Sequence, residues 1–286
     1  MTGGTVIGLL HPGEMGSAVA ACLVRRGGSV LWASADRSEA TAHRADAAGL
    51  TDAGTTQQLI RRSDVVLSIC PPHGALGVAR SVAGFGGTFV DANAISADTA
   101  REIRAVVESG GARFVDGGII GPPPGPSAAA RLYLCGENAG AVARLFGHTP
   151  LDARVIDGDA GAASALKMAY AAWTKGTSAL LLAARAAARA HGVEEALLDE
   201  WAISLPELQE HSIRAGRSAA NKGWRWIAEM EQIAATFAAA GLPDGFHRAA
   251  AEIYRRAPHI AGGGEDGRTL DAVIEAVRLP GGAGRR

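Results

Sequence analysis

Thr5-Val-Ile-Gly-Leu-Leu-His-Pro-Gly-Glu-Met-Gly-Ser-Ala-Val-Ala-Ala-Cys-Leu23 is the stretch whose reading decides the fold. Residues 5–10 form a short apolar run, as a buried strand requires. Ala18, Val19, Cys22 and Leu23 then recur at helical spacing. Between them lies a turn rich in glycine. Strand, glycine turn and helix open a dinucleotide-binding unit, in which N–H groups at the helix start face a pyrophosphate. Gly13 and Gly16 supply close backbone approach and tight helix–strand packing. His11 stands where G-x-G-x-x-G has its first glycine, and Pro12 stiffens the turn. A plain strand–helix turn would use the same residues, so the segments that follow must arbitrate.

From 5 to 156, β-rich runs alternate with helical ones. Strands are expected at 29–34, 64–70, 87–91, 112–116 and 131–135, with helices at 36–48 and 96–108. Repeated β-α-β with Gly and Pro punctuation predicts an α/β fold with a doubly wound, mainly parallel sheet. After Gly158 the strand signals stop. Residues 160–191 are almost all helix formers, enough for a helix of roughly 48 Å that joins domains or crosses to another subunit. Further helices are expected at 194–203, 206–215, 219–240 and 244–256, with Gly241-Leu-Pro243 as a stop and restart. The pattern divides into a Rossmann domain, 1–157, and an all-helical domain, 158–286. The glycine-rich tail after about 260 is expected to be mobile apart from a helix at 269–277.

The chain has 286 residues, 48% hydrophobic, with a net charge of −1. That supports two sizeable cores and gives no basic footprint for nucleic acid or membrane. The three cysteines, Cys22, Cys70 and Cys135, lack disulfide or metal-ligand spacing, so no metal is expected. No signal pattern precedes the first strand, and Arg185 and Arg189 interrupt the most apolar helix. A cytoplasmic protein is the expectation.

An acid at the end of the second strand would hold the ribose of NAD. Here Ser34, Ala35 and Asp36 precede Arg37 and Ser38. Arg37 and Ser38, with Arg44 further on, suit the 2′-phosphate of NADP, because a guanidinium donates two hydrogen bonds. Asp36 keeps NAD open, and Asp36 or Ser38 would equally cap a helix.

In order along the chain, these segments resemble the β-hydroxyacid dehydrogenase family, which includes 3-hydroxyisobutyrate and 6-phosphogluconate dehydrogenases and, more distantly, the imine reductases. Gly8 to Gly16 matches that family's G-x-I-G-x-G-x-M-G except at His11. Arg37-Ser38 matches part of its N-R-S signature. Asp116-Gly-Gly-Ile-Ile-Gly-Pro122 takes the place of its D-A-P-V-S-G-G substrate motif, and Gly158 to Ala171 that of its catalytic motif, in which two glycines precede a lysine and an asparagine stands four residues after it. The serine of the first motif falls at Ile120 and the asparagine of the second at Ala171. The lysine is kept, as Lys167. The helical half is most similar to a poorly characterised phosphogluconate-dehydrogenase-like branch.

The resemblance implies a cofactor cradle of Gly8, His11, Pro12, Gly13, Glu14, Met15 and Gly16, extended by Ser34, Arg37, Ser38, Cys70, Pro71, Pro72 and Asn93. It implies hydride transfer between NADP and a hydroxy acid or related carbonyl, with Lys167 as general acid–base. A lysine packing its stem on the core is the plainer alternative. Thr174 and Tyr170, on the same helical face, are candidates to replace the missing asparagine, and Lys175 to bind an anion. Asn93 is placed beside nicotinamide or substrate, or it belongs to the cap of the helix starting near Ser96. Gly117, Gly118, Ile119 and Ile120 form the expected substrate loop, its backbone N–H groups facing a carboxylate. Trp224 and Trp226 cannot both face the core; they form an aromatic wall or a dimer contact. Glu229 is a candidate partner of Lys167. The alternatives are reduction of a C=N bond and a cofactor-binding protein without catalysis. A homodimer is expected.

Overall fold

The computed structural model describes residues 4–260 and 267–278. The tail segments 261–266 and 279–286, expected to be mobile, lie outside the described residues. The chain divides into two compact units, Met1–Met168 and Ala169–Arg286.

The first unit is built on one eight-stranded sheet: β1 Val6–Leu10, β2 Ser29–Trp32, β3 Thr51–Asp52, β4 Val65–Ser68, β5 Thr88–Asp91, β6 Arg113–Ile120, β7 Ala130–Cys135 and β8 Leu151–Val155. Their order in the sheet is β3-β2-β1-β4-β5-β6-β7-β8, with β6–β7 the one antiparallel pairing. The chain order reverses at β1, which makes the carboxyl end of β1 a topological switch point.

Helices cover both faces. Ile7, Leu9, Val65 and Leu67 share one apolar cluster with Val19 and Leu23 of α1 Glu14–Arg25 and Val142 of α6 Ala139–Leu145. Leu10, Val66 and Phe89 share the other with Leu59 of α3 Thr56–Arg62, Val78 of α4 Ala75–Ser81 and Ile103 of α5 Ala97–Ser109. Alternate residues of one strand thus feed opposite cores, which is why the parallel strands read as continuous apolar runs. Helix α2 Glu39–Ala47 follows β2.

Helix α7, Ala162–Ala190, begins in the first unit and continues through the second. Its 29 residues span roughly 44 Å. The second unit adds α8 Glu194–Ser204, α9 Leu208–Ala239, α10 Gly245–Arg256 and α11 Gly267–Arg278. The two helices expected at 206–215 and 219–240 are one, α9. Gly216 did not break it: α11 crosses there, and a Cβ on Gly216 would lie 3.1 Å from the Leu270 Cα. No helix among the described residues is long and apolar enough to cross a membrane.

Gly8 of β1 leaves room for α3, since an added Cβ would lie 2.4 Å from Leu59 Cδ2 and 2.7 Å from Ser63 Oγ. Gly77, exposed on α4, would meet nothing within 4 Å. Gly8→Ala is therefore expected to lower stability by about 1–3 kcal/mol through overpacking. Gly77→Ala should raise it by roughly 0.5–1 kcal/mol through helix propensity. Urea denaturation of both variants checks the pair.

Candidate active site at the carboxyl edge of the sheet

Leu10, Ser68, Asp91 and Asp116 are register partners across β1, β4, β5 and β6. They mark the carboxyl edge of the parallel strands. Residues just beyond this row build the site.

After β1 the backbone at His11 has φ +70°, the left-handed conformation a glycine would adopt freely. Histidine is one of the few other residues found there with some frequency. The turn geometry is therefore kept although its first glycine is gone. Gly13 N–H closes the turn onto the His11 carbonyl at 2.7 Å. An added Cβ on Gly16 would lie 2.7 Å from the same carbonyl, so Gly16 is needed for the turn to close. Gly13 has open space above it and no side-chain cap on α1. The helix therefore presents its first N–H groups outward, as an anion site requires. Arg44 of α2 donates from Nε to the Pro12 carbonyl at 3.1 Å, so it braces the loop.

At the turn after β2, Asp36 has φ +60° and is exposed. Ser38 caps α2 by accepting the Thr41 N–H, so its hydroxyl has a structural duty. The Gly54 N–H first, and then bonds from Ser34, hold the Asp52 carboxyl below the usual range; Ser34 thus faces the turn after β3. Arg37 is different. Its Nε is buried without a partner, and so is Nδ1 of His11. Burial, and then the charge of Arg37, push the His11 imidazole down to about 4, so it is neutral near pH 7.

Beyond β4 and β5, Asn93 is buried and uses its side chain inside the protein. Its Nδ2 donates to Ser68 Oγ (3.0 Å) and Asp91 Oδ2 (2.8 Å), and its Oδ1 accepts the Cys70 N–H (2.5 Å). No side-chain N–H is left for nicotinamide or substrate. Asn93 holds the Cys70 backbone, and Ser96, not Asn93, caps α5. Burial first, and Asp91's charge after it, push the Cys70 thiol up to about 12. Burial also raises the wholly buried Asp91 to about 7, against the bonds from Asn93 and helped by Asp116.

Asp116, which no local sequence signal marks as functional, anchors α7. Its carboxylate accepts the Ser164 N–H at 3.0 Å and the Ser164 hydroxyl at 2.6 Å. The expected substrate loop is strand: Gly117, Gly118, Ile119 and Ile120 continue β6, paired with β7. Gly117 and Gly118 act by having no side chain. A Cβ on Gly118 would lie 2.6 Å from the Ala163 carbonyl and 3.0 Å from Lys167 Cβ. Ile119 belongs to the apolar core and Ile120 is buried, so neither offers a polar contact. Lys167, half-buried, is thereby set directly over β6 at the edge.

In the second unit, Lys175 and Glu229 form an ion pair, both side chains largely buried. Lys175 also lies over the Trp226 ring, 5.7 Å from its centroid, and its carbonyl accepts the Tyr254 hydroxyl at 2.6 Å. Glu229 is thus the partner of Lys175, and the charge expected to meet a substrate anion is neutralised by Glu229. Trp226 packs edge-on against buried Tyr254, while Trp224 is exposed and stacks with Arg225. They face different ways, as their spacing requires. Tyr170 and Thr174 are exposed on α7, and Thr174 bonds back to the Tyr170 carbonyl. Among the described residues no group of His, Cys, Asp or Glu is arranged to hold a metal ion.

Residues 5–146 match the sequence model of the NAD binding domain of 6-phosphogluconate dehydrogenase, and residues 188–257 match a domain of unknown function, DUF1932. The conserved protein MTH1747, described as structurally similar to 3-hydroxyacid dehydrogenases, superposes with TM-score 0.66 at 28% identity, over 95% of this chain and 97% of its own. The chain has the fold of the 3-hydroxyisobutyrate and 6-phosphogluconate dehydrogenase superfamily. Within that superfamily, 3-hydroxyisobutyrate dehydrogenase of Mycobacterium tuberculosis matches with TM-score 0.70 and 22% identity, over 97% and 100% of the two chains. A reductive aminase from Aspergillus terreus with NADPH and ethyl levulinate matches with TM-score 0.58 and 20% identity, over 96% and 99%. An uncharacterized 28.5 kDa protein of Methanothermus fervidus is 32% identical over 166 residues, a match spanning 57% of this chain and 63% of that relative.

The raised Asp91 carboxyl has a consequence for stability. Between its unfolded value near 4 and its folded value of about 7, the folded state binds the extra proton, so this contribution is lost as pH rises. Asp91→Asn removes that ionisation. The Tm of Asp91→Asn minus that of the wild type is expected to increase from pH 5 to pH 8, read by calorimetry. A difference independent of pH would mean Asp91 ionises as freely folded as unfolded.

Proposed function

We propose that the protein is an NADP-dependent oxidoreductase acting on a hydroxy acid or a related alcohol–carbonyl pair. The observation that carries this reading is Lys167, held over β6 by the Asp116–Ser164 contact at the edge where the His11–Gly16 loop also ends. The residues fit the cofactor: Gly13 leaves space at the start of α1, and Arg37 keeps a buried nitrogen for an acceptor. NADP, when bound, supplies or accepts the hydride. The α1 N–H groups hold the pyrophosphate, and Arg37 favours the 2′-phosphate over a bare ribose. Lys167 holds the proton exchanged with the substrate oxygen. The likeness to dehydrogenases of this fold supports the reaction class, and the NADPH-bound reductive aminase supports the cofactor.

Reduction of a C=N bond is the second reading. Ile120 and Ala171 favour it, since both polar residues of the hydroxyacid pattern are missing. The retained lysine favours the first. We also propose a homodimer. Tyr170, Trp173 and Leu180 are exposed along one stripe of α7, and Trp173 is 75% exposed, an area of apolar surface that a second copy would cover.

Absorbance at 340 nm tests the chemistry, with NADP⁺ and 2- or 3-hydroxy acids in one panel and NADPH with imines in the other. Turnover in the first panel should fall by about two to four decades in Lys167→Ala, while cofactor affinity stays within a few-fold. Turnover confined to imines would overturn the alcohol–carbonyl reading. For the assembly, light scattering should give twice the chain mass, and Trp173→Glu should shift it towards the monomer. A wild-type monomer at every concentration would rule the dimer out.

A further inference from the structure

The most unusual residue of the site is His11, and nothing so far gives its side chain a role. It sits in left-handed backbone, where a glycine would be free of strain. Its Nδ1 is buried and makes no hydrogen bond, a loss that folded proteins normally avoid. At the neighbouring strand end, Arg37 keeps Nε buried in the same condition. β1 and β2 are paired up to Leu9 and Trp32, and the charge of Arg37 acts on the His11 imidazole, so the two residues stand near one another beyond adjacent strand ends on the carboxyl edge. Buried polar atoms without partners are few in folded proteins, and two at adjacent strand ends mark a place for a ligand with several acceptor oxygens. We propose that His11 and Arg37 together clamp the 2′-phosphate of NADP, and that His11 takes up a proton from solvent as the phosphate binds.

The proposal rests on the cofactor reading above. Without ligand, burial and then the Arg37 charge keep His11 neutral, against a weaker opposing pull from the Leu10 backbone. A phosphate between the two side chains reverses both causes, because it accepts hydrogen bonds and cancels the guanidinium charge. The other groups around His11 do not replace it. Arg44 of α2 is engaged with the Pro12 carbonyl, Glu14 stands in the first turn of α1, and the Cys70 thiol after β4 is held neutral by burial. Asparagine at position 11 tolerates the left-handed backbone and cannot titrate.

Calorimetric titration with NADP⁺ and NAD⁺ at pH 7.5 and 5.5, on wild type and His11→Asn, tests this. The phosphate itself titrates near pH 6, equally for both proteins, so the ratio of their affinities reads His11 alone. If His11 moves from about 4 to an ordinary value of roughly 6.5 in the complex, the wild-type-to-variant affinity ratio for NADP⁺ rises about ten-fold at pH 5.5. The ratio for NAD⁺ stays flat. His11→Gly, which suits the φ of +70°, serves if the asparagine variant does not fold. NADP⁺ binding with a flat ratio overturns the inference and leaves the cofactor reading intact. An equal rise for NAD⁺ also overturns it, since His11 would then answer the pyrophosphate. No saturable binding of either cofactor by wild type overturns both.

Discussion

The site depends on one buried carboxylate at the start of α7. Asp116 is the last β6 residue in register with β5, and it accepts both the N–H and the hydroxyl of Ser164. A carboxylate at a helix start answers N–H groups that have no partner within the helix and lies at the positive end of its dipole. The contact therefore fixes the first turn of the helix that carries Lys167 one turn later. Glycines complete the fit. Gly118 lets α7 close on β6, and Gly161 at φ +101° would otherwise bring a Cβ 2.9 Å from the Ala97 carbonyl. Asp116 supplies the attraction, and the glycines remove what would oppose it.

Beside Asp116, Asp91 carries a second buried carboxyl, and burying both as anions would be expensive. Asp91 escapes part of that cost by being pushed up to about 7, while Asn93 answers both of its oxygens and ties them to Ser68 and Cys70. On the β4–β6 side of this edge the side chains of Ser68, Asp91, Asn93 and Asp116 all have internal partners. On the β1–β2 side, Arg37 and His11 keep buried nitrogens unanswered. On the proposed reading, one half of the edge is given to support and the other to binding.

The fold was largely legible in the sequence because both periodicities were clean. The apolar runs of β1, β4 and β5 and the long alanine- and leucine-rich run of α7 lie close to where they were expected. The misses share a cause: local signals that long-range contacts override. β3 is two residues long, and β8, Leu151–Val155, is exposed along much of its length, so neither shows a buried-strand pattern. Gly117 and Gly118 look like a loop, yet antiparallel pairing with β7 carries β6 through them. Asn93 and Glu229 are polar residues whose chemistry suggests a site, yet they are held by neighbours remote in sequence, Ser68 and Lys175, which no local pattern displays. His11 was legible as an exception, but its side chain's lack of a partner was not.

The two departures from the hydroxyacid pattern fit this separation of support from recognition. Ile120 and Ala171 are both buried, and each stands where a polar side chain was expected. An apolar residue in a buried position creates no unanswered donor or acceptor, so these changes carry little of the penalty that a buried polar group without a partner would impose. Neither residue belongs to the Asp116–Ser164 anchor or to the Asn93 network. On the proposed reading, the polar groups that hold substrate can therefore be replaced while the elements that place Lys167 and the cofactor loop stay as they are.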